Sequence, residues 1–394
     1  MSLYLSNNFS VSKFLLRVEL AQRKPLELHY VLRDLHGVIY ETTHAINLEG
    51  ENENTFLLQL RNKFAAIWDG QTSLEKLKDL SMNLSNVLLP QGLMKSLGEC
   101  LERYSEIDLS IQLGDPFLGR IPWGLLWCST GKQTFLQRRS QGGKHPLAKS
   151  RFLCVLAHVS IHHPEQEKAL NVQLKRGISD VRPMLIQDAY LTHHDELAAW
   201  EELPKTSEQI TFSEWDLLET FAYSSKPKAN IVHVAYHLEV EPHEDLNVLP
   251  KLRLGEQKVR IDEFRTLLEQ IAEDNPFVFL NGCSSDNISG HSVISTTACG
   301  MLATHTAACV GTWGNVYSFI ANDMADAFYS YLFAGKPGSE ALFLARLDVA
   351  NKYYKNEQYA SAYLEPLIYF YSGHGDLELK KKVPLKKKVQ HREE

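Results

Sequence analysis

Two residues able to carry out covalent chemistry each end an apolar, strand-like segment. His237 ends the segment 231–237, Ile-Val-His-Val-Ala-Tyr-His, and Cys283 ends the segment 277–283, Phe-Val-Phe-Leu-Asn-Gly-Cys. A thiol becomes an effective nucleophile at neutral pH when a base or a cation lies nearby, and a histidine can supply either role. If the two segments form neighbouring strands, their ends bring the imidazole and the thiol together. The pair therefore predicts nucleophilic catalysis by Cys283, with His237 as its acid–base partner.

The residues around Cys283 suit attack on a substrate carbonyl. Gly282 lets the backbone turn tightly beside the thiol, and Ser284 and Ser285 keep the following loop small enough for a substrate to bind. The backbone NH groups of Cys283 and Leu238 are candidates for an oxyanion hole, which stabilises the charge that develops on the carbonyl oxygen.

A structural interpretation competes with the catalytic one. A single cysteine after an apolar strand is often a buried, inert thiol, and a histidine at a strand end is often simply hydrogen-bonded. His233, which alternates onto the same side of its strand as His237, is interpreted as a core histidine or as a support for His237. The ordered pair at matching strand ends favours catalysis, but spacing alone does not decide the question.

The second half of the chain has the strand–helix alternation of a three-layer α/β fold around a mostly parallel sheet. Apolar runs of strand length occupy residues 152–159, 230–234, 277–280 and 308–313. Helical spacing occupies residues 214–223, 261–272, 318–333 and 339–353. In such sheets ligands bind beyond the carboxyl ends of the strands. His237 and Cys283 lie just past the carboxyl ends of two predicted strands.

The first half mixes strand and helix patterns. They predict an antiparallel meander over residues 15–20, 26–32 and 38–42, helices around 56–67, 74–80 and 93–101, and a strand over 107–113. The segment 121–127, which holds two tryptophans, is interpreted as a junction between two packed halves or as ordinary core, and the polar stretch 129–150 as a linker. The sequence thus predicts an N-terminal unit over 1–150, a second unit over 151–376 and a basic tail over 377–394.

Composition is typical of a folded globular protein. The 394 residues are 44% hydrophobic and 23% charged. The formal net charge is −7, and this excess of acidic residues argues against a general nucleic-acid-binding surface. Six cysteines without a CxxC spacing and an N-terminus without a secretion signal predict reduced thiols in the cytoplasm.

Neither a membrane span nor a metal site is predicted. Residues 287–322 contain no Asp, Glu, Lys or Arg, but polar residues interrupt the run too often for a bilayer crossing, so we interpret it as a deeply buried segment. No carboxylate or cysteine spacing completes a metal site with the scattered histidines, so we expect loop histidines without a ligand role, no metal and no cofactor. These are His158, His162, His163, His193 and His194.

Several segments resemble the CHAT peptidases, which are relatives of caspases and separases. The spacing of 46 positions between His237 and Cys283 is close to the interval of roughly 50 between the catalytic His and Cys of caspases. His233 to His237 resembles the family's H-x-x-x-H-G motif, and the run Asn-Gly-Cys-Ser-Ser is also similar to separase. Residues 121–126 resemble the family's I-P-W-E-L-L, and residues 310–313 resemble its apolar strand ending in Trp. In the closing helices, Phe328-Tyr329 resembles F-Y, Gly335 resembles G, and residues 340–346 resemble A-L-x-x-A-R.

The resemblance implies a caspase-like fold with a degenerate, pseudo-caspase first half and an active second half that cuts protein substrates. Cys283 would be the nucleophile and His237 would protonate the leaving amine. Leu238 stands where the family has glycine, and no tetratricopeptide sensor array is attached, so a separate activating or sensor protein is expected. The resemblance also favours a role in prokaryotic defence or programmed cell death.

Two acids are candidates for selecting the substrate. Asp323 follows the uncharged run and resembles the acid with which separase-like enzymes receive a basic side chain before the scissile bond. The alternative is a helix N-terminal Asp stabilised by its own backbone. Asp286 is the other nearby acid, and it serves either the same pocket or a loop.

Two other functions compete with the peptidase. A catalytically silent caspase-like scaffold that binds protein partners is supported by Leu238. A nucleotide-binding α/β regulator is disfavoured, because no Gly-rich phosphate loop follows any predicted strand.

Overall fold

A computed structural model describes most of both predicted units. The described residues are 11–23, 25–47, 73–104, 106–115, 118–128, 150–162, 181–187, 210–212, 215–223, 228–239, 251–254, 257–283, 305–313, 316–354 and 361–373, with the single positions 56, 59, 60, 63, 147, 299, 302, 377 and 379.

One mixed sheet of 13 strands forms the centre of the described fold. Its strands are β1 (Ser12–Arg23), β2 (Leu26–Asp34), β3 (Gly37–Ile46), β4 (Ile107–Leu113), β5 (His158–His162), β6 (Pro183–Gln187), β7 (Ile210–Phe212), β8 (Ala229–Glu239), β9 (Lys251–Leu254), β10 (Gln257–Arg260), β11 (Ala272–Cys283), β12 (Ala308–Thr312) and β13 (Tyr369–Gly373). The order is β10-β9-β8-β11-β12-β13-β5-β4-β1-β2-β3, and β6 and β7 extend from the first part of β8.

Seven α-helices accompany the sheet in the described part of the chain. They are α1 (Leu74–Leu88), α2 (Gln91–Arg103), α3 (Leu153–Leu156), α4 (Trp215–Ala222), α5 (Ile261–Ile271), α6 (Ser318–Phe333) and α7 (Gly338–Tyr353). Short 3-10 helices span Leu118–Arg120, Trp123–Leu125 and Ala362–Ile368. No described helix has the length and apolar character needed to cross a membrane.

Helices cover both faces of the central strands. Phe277 in β11 stacks against Phe328 of α6 and Phe279 packs edge to face on the same ring, whereas Val278 and Leu280 point to the opposite face and are also fully buried. α5 leads directly into β11 and contacts it, and α4 contacts α5. The prediction of an α/β fold with helices around a mostly parallel sheet is therefore confirmed.

The N-terminal strands follow the predicted meander. β1, β2 and β3 pair antiparallel in sequence order, and Tyr30 in β2 donates a hydrogen bond to the backbone carbonyl of Leu88 at the end of α1. The strand predicted over 107–113 is present as β4. Of the helix predicted around 56–67, residues 56, 59, 60 and 63 are described, and they are helical.

The strand predicted over residues 152–159 is wrong in its first half. Residues Leu153–Leu156 form the single turn α3, and the strand β5 begins only at His158. The backbone explains the turn, because Phe152 bridges to Trp127 and the NH of Leu153 donates to the carbonyl of Leu126. These bonds hold residues 152–156 against the segment 121–127, which contains two tryptophans. There the apolar side chains of a helical turn are buried as completely as those of a strand would be.

Two of the expected loop histidines lie in a strand instead. His158 and His162 are the first and last residues of β5 and are buried. His158 Nε2 lies 3.3 Å from Glu106 Oε1, and its ring packs on Phe343 of α7. His163, His193, His194 and most of the stretch predicted as a linker lie outside the described residues. Within the described residues no group of His, Cys, Asp and Glu side chains has the arrangement of a metal site.

Candidate active site

The two candidate catalytic residues stand opposite each other on adjacent parallel strands. β8 and β11 pair one to one from Ile231 with Phe277 up to His237 with Cys283. His237 lies within β8, which continues to Glu239, whereas Cys283 is the last residue of β11. Neighbouring strands are about 4.8 Å apart, so this register brings the two backbones as close as a sheet allows.

Positions 233 and 279, four residues before this pair, lie on the face that α6 covers. The ring of His233 stacks on Phe279 with centroids 5.1 Å apart, and its Nδ1 lies 3.2 Å from the hydroxyl of Tyr329 in α6. His233 is fully buried, so the interpretation of a hydrogen-bonded core histidine is confirmed. Because alternate residues of a strand share a face, positions 237 and 283 belong to the α6 side of the sheet.

Asn281 ties the end of β11 to two other elements. Its Nδ2 donates to the backbone carbonyl of Ala321 in α6 at 3.0 Å, and its Oδ1 accepts from the hydroxyl of Tyr369 in β13 at 2.9 Å. The side chain is fully buried, so each of these bonds replaces one that water would otherwise make. The amide therefore fixes α6 and β13 against the strand two residues before Cys283.

The carboxyl end of β11 points toward the beginning of α6. Going from Phe279 to Asn281 along the strand moves the contact on α6 from Tyr329 back to Ala321. A further two residues along β11 reach Cys283, at the level where α6 begins. The candidate site is thus located where β8, β11 and the first turn of α6 meet.

The predicted oxyanion-hole residue Leu238 lies beside a strand that the sequence patterns did not indicate. Residues 237–239 of β8 pair antiparallel with β9, and Leu238 is opposite Leu252. β9 pairs antiparallel with β10, so a two-stranded ribbon flanks the end of β8. The role of the Leu238 NH in an oxyanion hole stays a prediction, and the predicted substrate-binding residues Ser284 and Asp286 lie outside the described residues.

Asp323 is in the second turn of α6 and is held by α7. Its Oδ2 accepts hydrogen bonds from Lys352 Nζ and from the hydroxyl of Tyr353, both at 2.6 Å. Asp323 lies two residues after Ala321, which places the two positions roughly 200° apart around the helix. The carboxylate consequently faces α7, and the alternative of a helix N-terminal Asp is wrong because α6 begins five residues earlier.

Glu365 is a buried acid that the sequence analysis passed over. Its Oε2 accepts a hydrogen bond of 2.8 Å from the backbone NH of Tyr317, the N-cap residue of α6. Burial raises the pKa of this carboxyl group from 4.5 to about 8, although the Tyr317 NH partly opposes the shift. The available signal was an acid between apolar residues and a proline, Leu364-Glu365-Pro366, close to the end of the α/β pattern.

The other described cysteines are unsuited to nucleophilic catalysis. Cys100, Cys128, Cys154, Cys299 and Cys309 are free and buried. Burial raises the pKa of Cys100 and Cys154 to about 11 and that of Cys299 well above its usual value, so very little thiolate exists at neutral pH. All five are buried, which makes each a poor candidate for the nucleophile.

Comparison with known protein families decides the relationship of the chain. The family model described as the CHAT domain matches residues 78–364, from the second turn of α1 to the last 3-10 helix, and includes β8, β11 and α6. The chain belongs to the CHAT-domain family. No curated protein matches the sequence.

Solved structures similar to this chain include those of two peptidase complexes. Two crystal structures of the Saccharomyces cerevisiae separase–securin complex have 12% identity and TM-scores of 0.42 and 0.44, and the match covers 92% of this chain and 30% of separase. The Porphyromonas gingivalis complex of the RgpB pro- and mature domains has 10% identity and a TM-score of 0.40, with 84% of this chain and 77% of that chain covered. The chain thus spans less than a third of the length of separase.

Two of the motif residues that resemble the family, Trp123 and Arg346, lie in the core of the CHAT domain. Trp123 is fully buried and its indole NH donates to the carbonyl of Leu118 at 2.8 Å. Arg346 is also buried, and its Nη2 donates to the carbonyl of Tyr369 at 2.5 Å. Because Tyr369 in turn bonds Asn281, Arg346 supports the segment that orients the end of β11.

Proposed function

We propose that this CHAT domain is a cysteine endopeptidase in which His237 and Cys283 form the catalytic dyad. The observation that supports the proposal most directly is the parallel register of β8 and β11, in which these two residues are direct partners. Directly paired residues of parallel strands lie on the same face of a sheet, so an imidazole and a thiol at these positions can meet. The five other cysteines offer no comparable arrangement.

The proposed reaction uses two covalent steps. The thiolate of Cys283 attacks the carbonyl carbon of the scissile peptide bond, and backbone NH groups of Leu238 and Cys283 stabilise the oxyanion. His237 then gives its proton to the leaving amine, and the thioester forms as the peptide bond breaks. A water molecule, deprotonated by His237, hydrolyses the thioester and regenerates the thiol.

We also propose that the substrate is a dedicated protein and that a separate partner activates the enzyme in the cytoplasm. The family resemblance, rather than any contact in this chain, supports a role in prokaryotic defence or programmed cell death. The site requires no cofactor, because the thiol, the imidazole and the backbone NH groups supply every step of the reaction.

Replacement of the dyad residues tests the proposal. The wild-type chain, Cys283→Ala and His237→Ala are incubated with the proteins encoded by neighbouring genes, singly and in combination, and the products are identified by mass spectrometry. We expect cleavage by the wild type and a loss of at least a thousandfold in rate for both variants. His36→Ala, at an exposed position in the turn between β2 and β3, is the matched control and should cleave normally.

Two results would contradict the dyad. Equal cleavage by the wild type and Cys283→Ala would assign the activity to another residue or protein. Stable binding of a partner by both, without cleavage under any combination, would favour a silent scaffold, the function for which the Leu238 substitution argues.

A further inference from the structure

The register of four strands places two cations in one row with the candidate dyad. Cys283 in β11 is opposite His237 in β8, which is opposite Arg253 in β9 on its other side. Arg253 in turn is opposite Lys258 in β10. Directly paired residues of adjacent strands lie on the same face of a sheet, so the four positions share one face. The row therefore continues from the dyad onto the β9–β10 ribbon.

The ribbon has an apolar face and a cationic face. Leu252 and Val259 are opposite each other and are buried. Arg253, the next residue in β9, is half-buried, and Lys258 in β10 is exposed. Because successive residues of a strand point to opposite faces, burial of the apolar pair places the two basic side chains on the exposed face of the ribbon.

The neighbouring row of the same ladder has acids beside its cations. Lys251 is opposite Glu239 in β8 on one side and opposite Arg260 in β10 on the other. The guanidinium of Arg260 donates to both carboxylate oxygens of Asp262, at 2.7 and 3.0 Å. Two acids thus adjoin the two cations of that row.

The row of the dyad has no acid across the ladder. The ladder partners of Arg253 are His237 and Lys258. Like charges directly opposite each other weaken the pairing of two antiparallel strands. Negative charge bound over Arg253 and Lys258 would offset this repulsion, so the arrangement suits an anionic group that comes to lie beside the candidate site.

The chemistry of the proposed dyad decides which part of a substrate lies over these cations. Attack by Cys283 places the acyl side of the scissile bond at β11, and proton donation by His237 places the leaving amine at β8. An extended chain that follows the amine in the same direction passes over β9 and β10. Strands are about 4.8 Å apart and an extended chain advances about 3.3 Å per residue, so roughly the second to fourth residues after the scissile bond reach this ribbon.

We infer that Arg253 and Lys258 bind acidic side chains that follow the scissile bond of the protein substrate. The inference rests on the proposed peptidase function and names a feature of its substrate, Asp or Glu at about the second to fourth positions of the fragment released with the amine. A guanidinium and an ammonium group both form charge-assisted hydrogen bonds with carboxylates. Because neither cation is fully buried, salt should weaken this binding.

Binding of product-like peptides tests the inference without requiring catalysis. The full chain with Cys283→Ala is titrated into fluorescein-labelled Ser-Glu-Glu-Glu-Gly or Ser-Gln-Gln-Gln-Gly, each with a free amino end, and fluorescence anisotropy gives the Kd. We expect the Glu peptide to bind about tenfold more tightly than the Gln peptide at low salt, the gain that two exposed ion pairs can supply. The difference should shrink at high salt.

Charge reversal assigns the preference to the two cations. In the same background, Arg253→Glu and Lys258→Glu should each weaken binding of the Glu peptide severalfold, and the double variant should instead prefer Ser-Lys-Lys-Lys-Gly. Each single reversal creates an opposite-charge pair across the ladder, so thermal unfolding should show no loss of stability.

A reversal elsewhere on the surface is the matched control. Lys76→Glu, at an exposed position of α1, makes the same change in net charge and should alter the Kd less than twofold. Equal binding of the Glu and Gln peptides by the background protein, including no binding of either, would overturn the inference. An equal loss of affinity in Lys76→Glu and Lys258→Glu would overturn it as well.

Cleavage assays separate this inference from the proposed function. Versions of a cleaved substrate with Glu, Gln or Lys at the second to fourth positions after the scissile bond should be cleaved by the wild type with kcat/KM falling in that order. Equal cleavage of the three would overturn the role of Arg253 and Lys258 and leave the peptidase intact. Cleavage that survives Cys283→Ala would instead overturn the peptidase, whatever the peptides show in binding.

Discussion

Single buried polar side chains orient the strand that ends at Cys283. Asn281 accepts from Tyr369 and donates to Ala321, and His233 bonds Tyr329 four residues before His237. Each of these groups is fully buried, so an alternative position would leave a donor or acceptor without a partner. Together with the register of β8 and β11, these hydrogen bonds fix where the candidate catalytic residues stand.

Glu365→Gln should stabilise the protein in a pH-dependent manner. The folded-state pKa of Glu365 is about 8 against an ordinary 4.5, so the unfolded chain ionises first and the wild type loses stability as pH rises from about 4.5 to 8. The neutral amide avoids this loss and can still accept from the Tyr317 NH. Urea unfolding should give a free-energy advantage of roughly 2 to 4 kcal/mol for the variant at pH 8.5 and nearly none at pH 4.5. A constant difference between the two pH values would contradict the assigned pKa.

At the scale of elements, α6 and α7 are positioned by close contact with the sheet. α6 packs on β11 and its Tyr329 reaches His233 of β8, and α7 begins at Gly338 beside the buried ring of Tyr371 in β13. Gly338 is also anchored by a hydrogen bond from its NH to the carbonyl of Leu377. Because β13 lies between β12 and β5, this contact fixes α7 over the middle of the sheet.

The start of α7 should tolerate no side chain at position 338. A Cβ atom on Gly338 would overlap the ring of Tyr371, which is fully buried and has no space to move into. We expect Gly338→Ala to lower the free energy of unfolding by roughly 2 to 3 kcal/mol, measured by urea denaturation.

Gly92 in α2 supplies the matched control for Gly338. A Cβ atom there would meet the ring of Tyr40, but that ring is only half-buried on the edge strand β3 and can rotate away. Gly92→Ala should therefore cost less than about 1 kcal/mol. Equal losses for the two variants would show that burial of the facing tyrosine does not matter.

At the scale of the whole molecule, the sheet joins the two predicted units. β4 of the first unit pairs with β5 of the second over five residue pairs, and β5 also pairs with β13. Trp127 and Phe152 bridge the same boundary and pack edge to face. The division at residue 150 and the interpretation of the first half as a degenerate caspase-like unit stay predictions, but the backbone hydrogen bonds are continuous across it.

Continuous pairing predicts that the described strands unfold together. Hydrogen exchange in increasing urea, followed by mass spectrometry, should show that β1 and β11 lose protection at the same urea concentration. Ser160→Pro in the central strand β5 removes a ladder NH and should lower protection on both sides of the sheet. Thr42→Pro on the edge strand β3 is the control and should lower protection less than Ser160→Pro does. Separate transitions for β1 and β11 would indicate two independent domains.

Local patterns in the sequence determined most elements. The spacing of apolar residues predicted α6 over its full length, β4 and the three-stranded meander, because a burial pattern of period 3.6 or 2 is encoded within each segment. Residue types likewise pointed to His237 and Cys283 before any strand pairing was known. The same patterns missed β6, β7, β9, β10 and β13, which are short and obtain their stability from neighbouring strands.

Only the tertiary structure decided which residues meet. Register between β8 and β11, the side of α6 that carries Asp323, and the burial of Glu365 all depend on contacts between segments that are distant in sequence. A carboxyl group is the same chemical group whether it is paired with a lysine or buried at a helix N-terminus. Its pKa nevertheless depends on which of these surroundings the fold gives it. The pKa shift arises from desolvation and from neighbouring groups, and neither exists until the chain is folded.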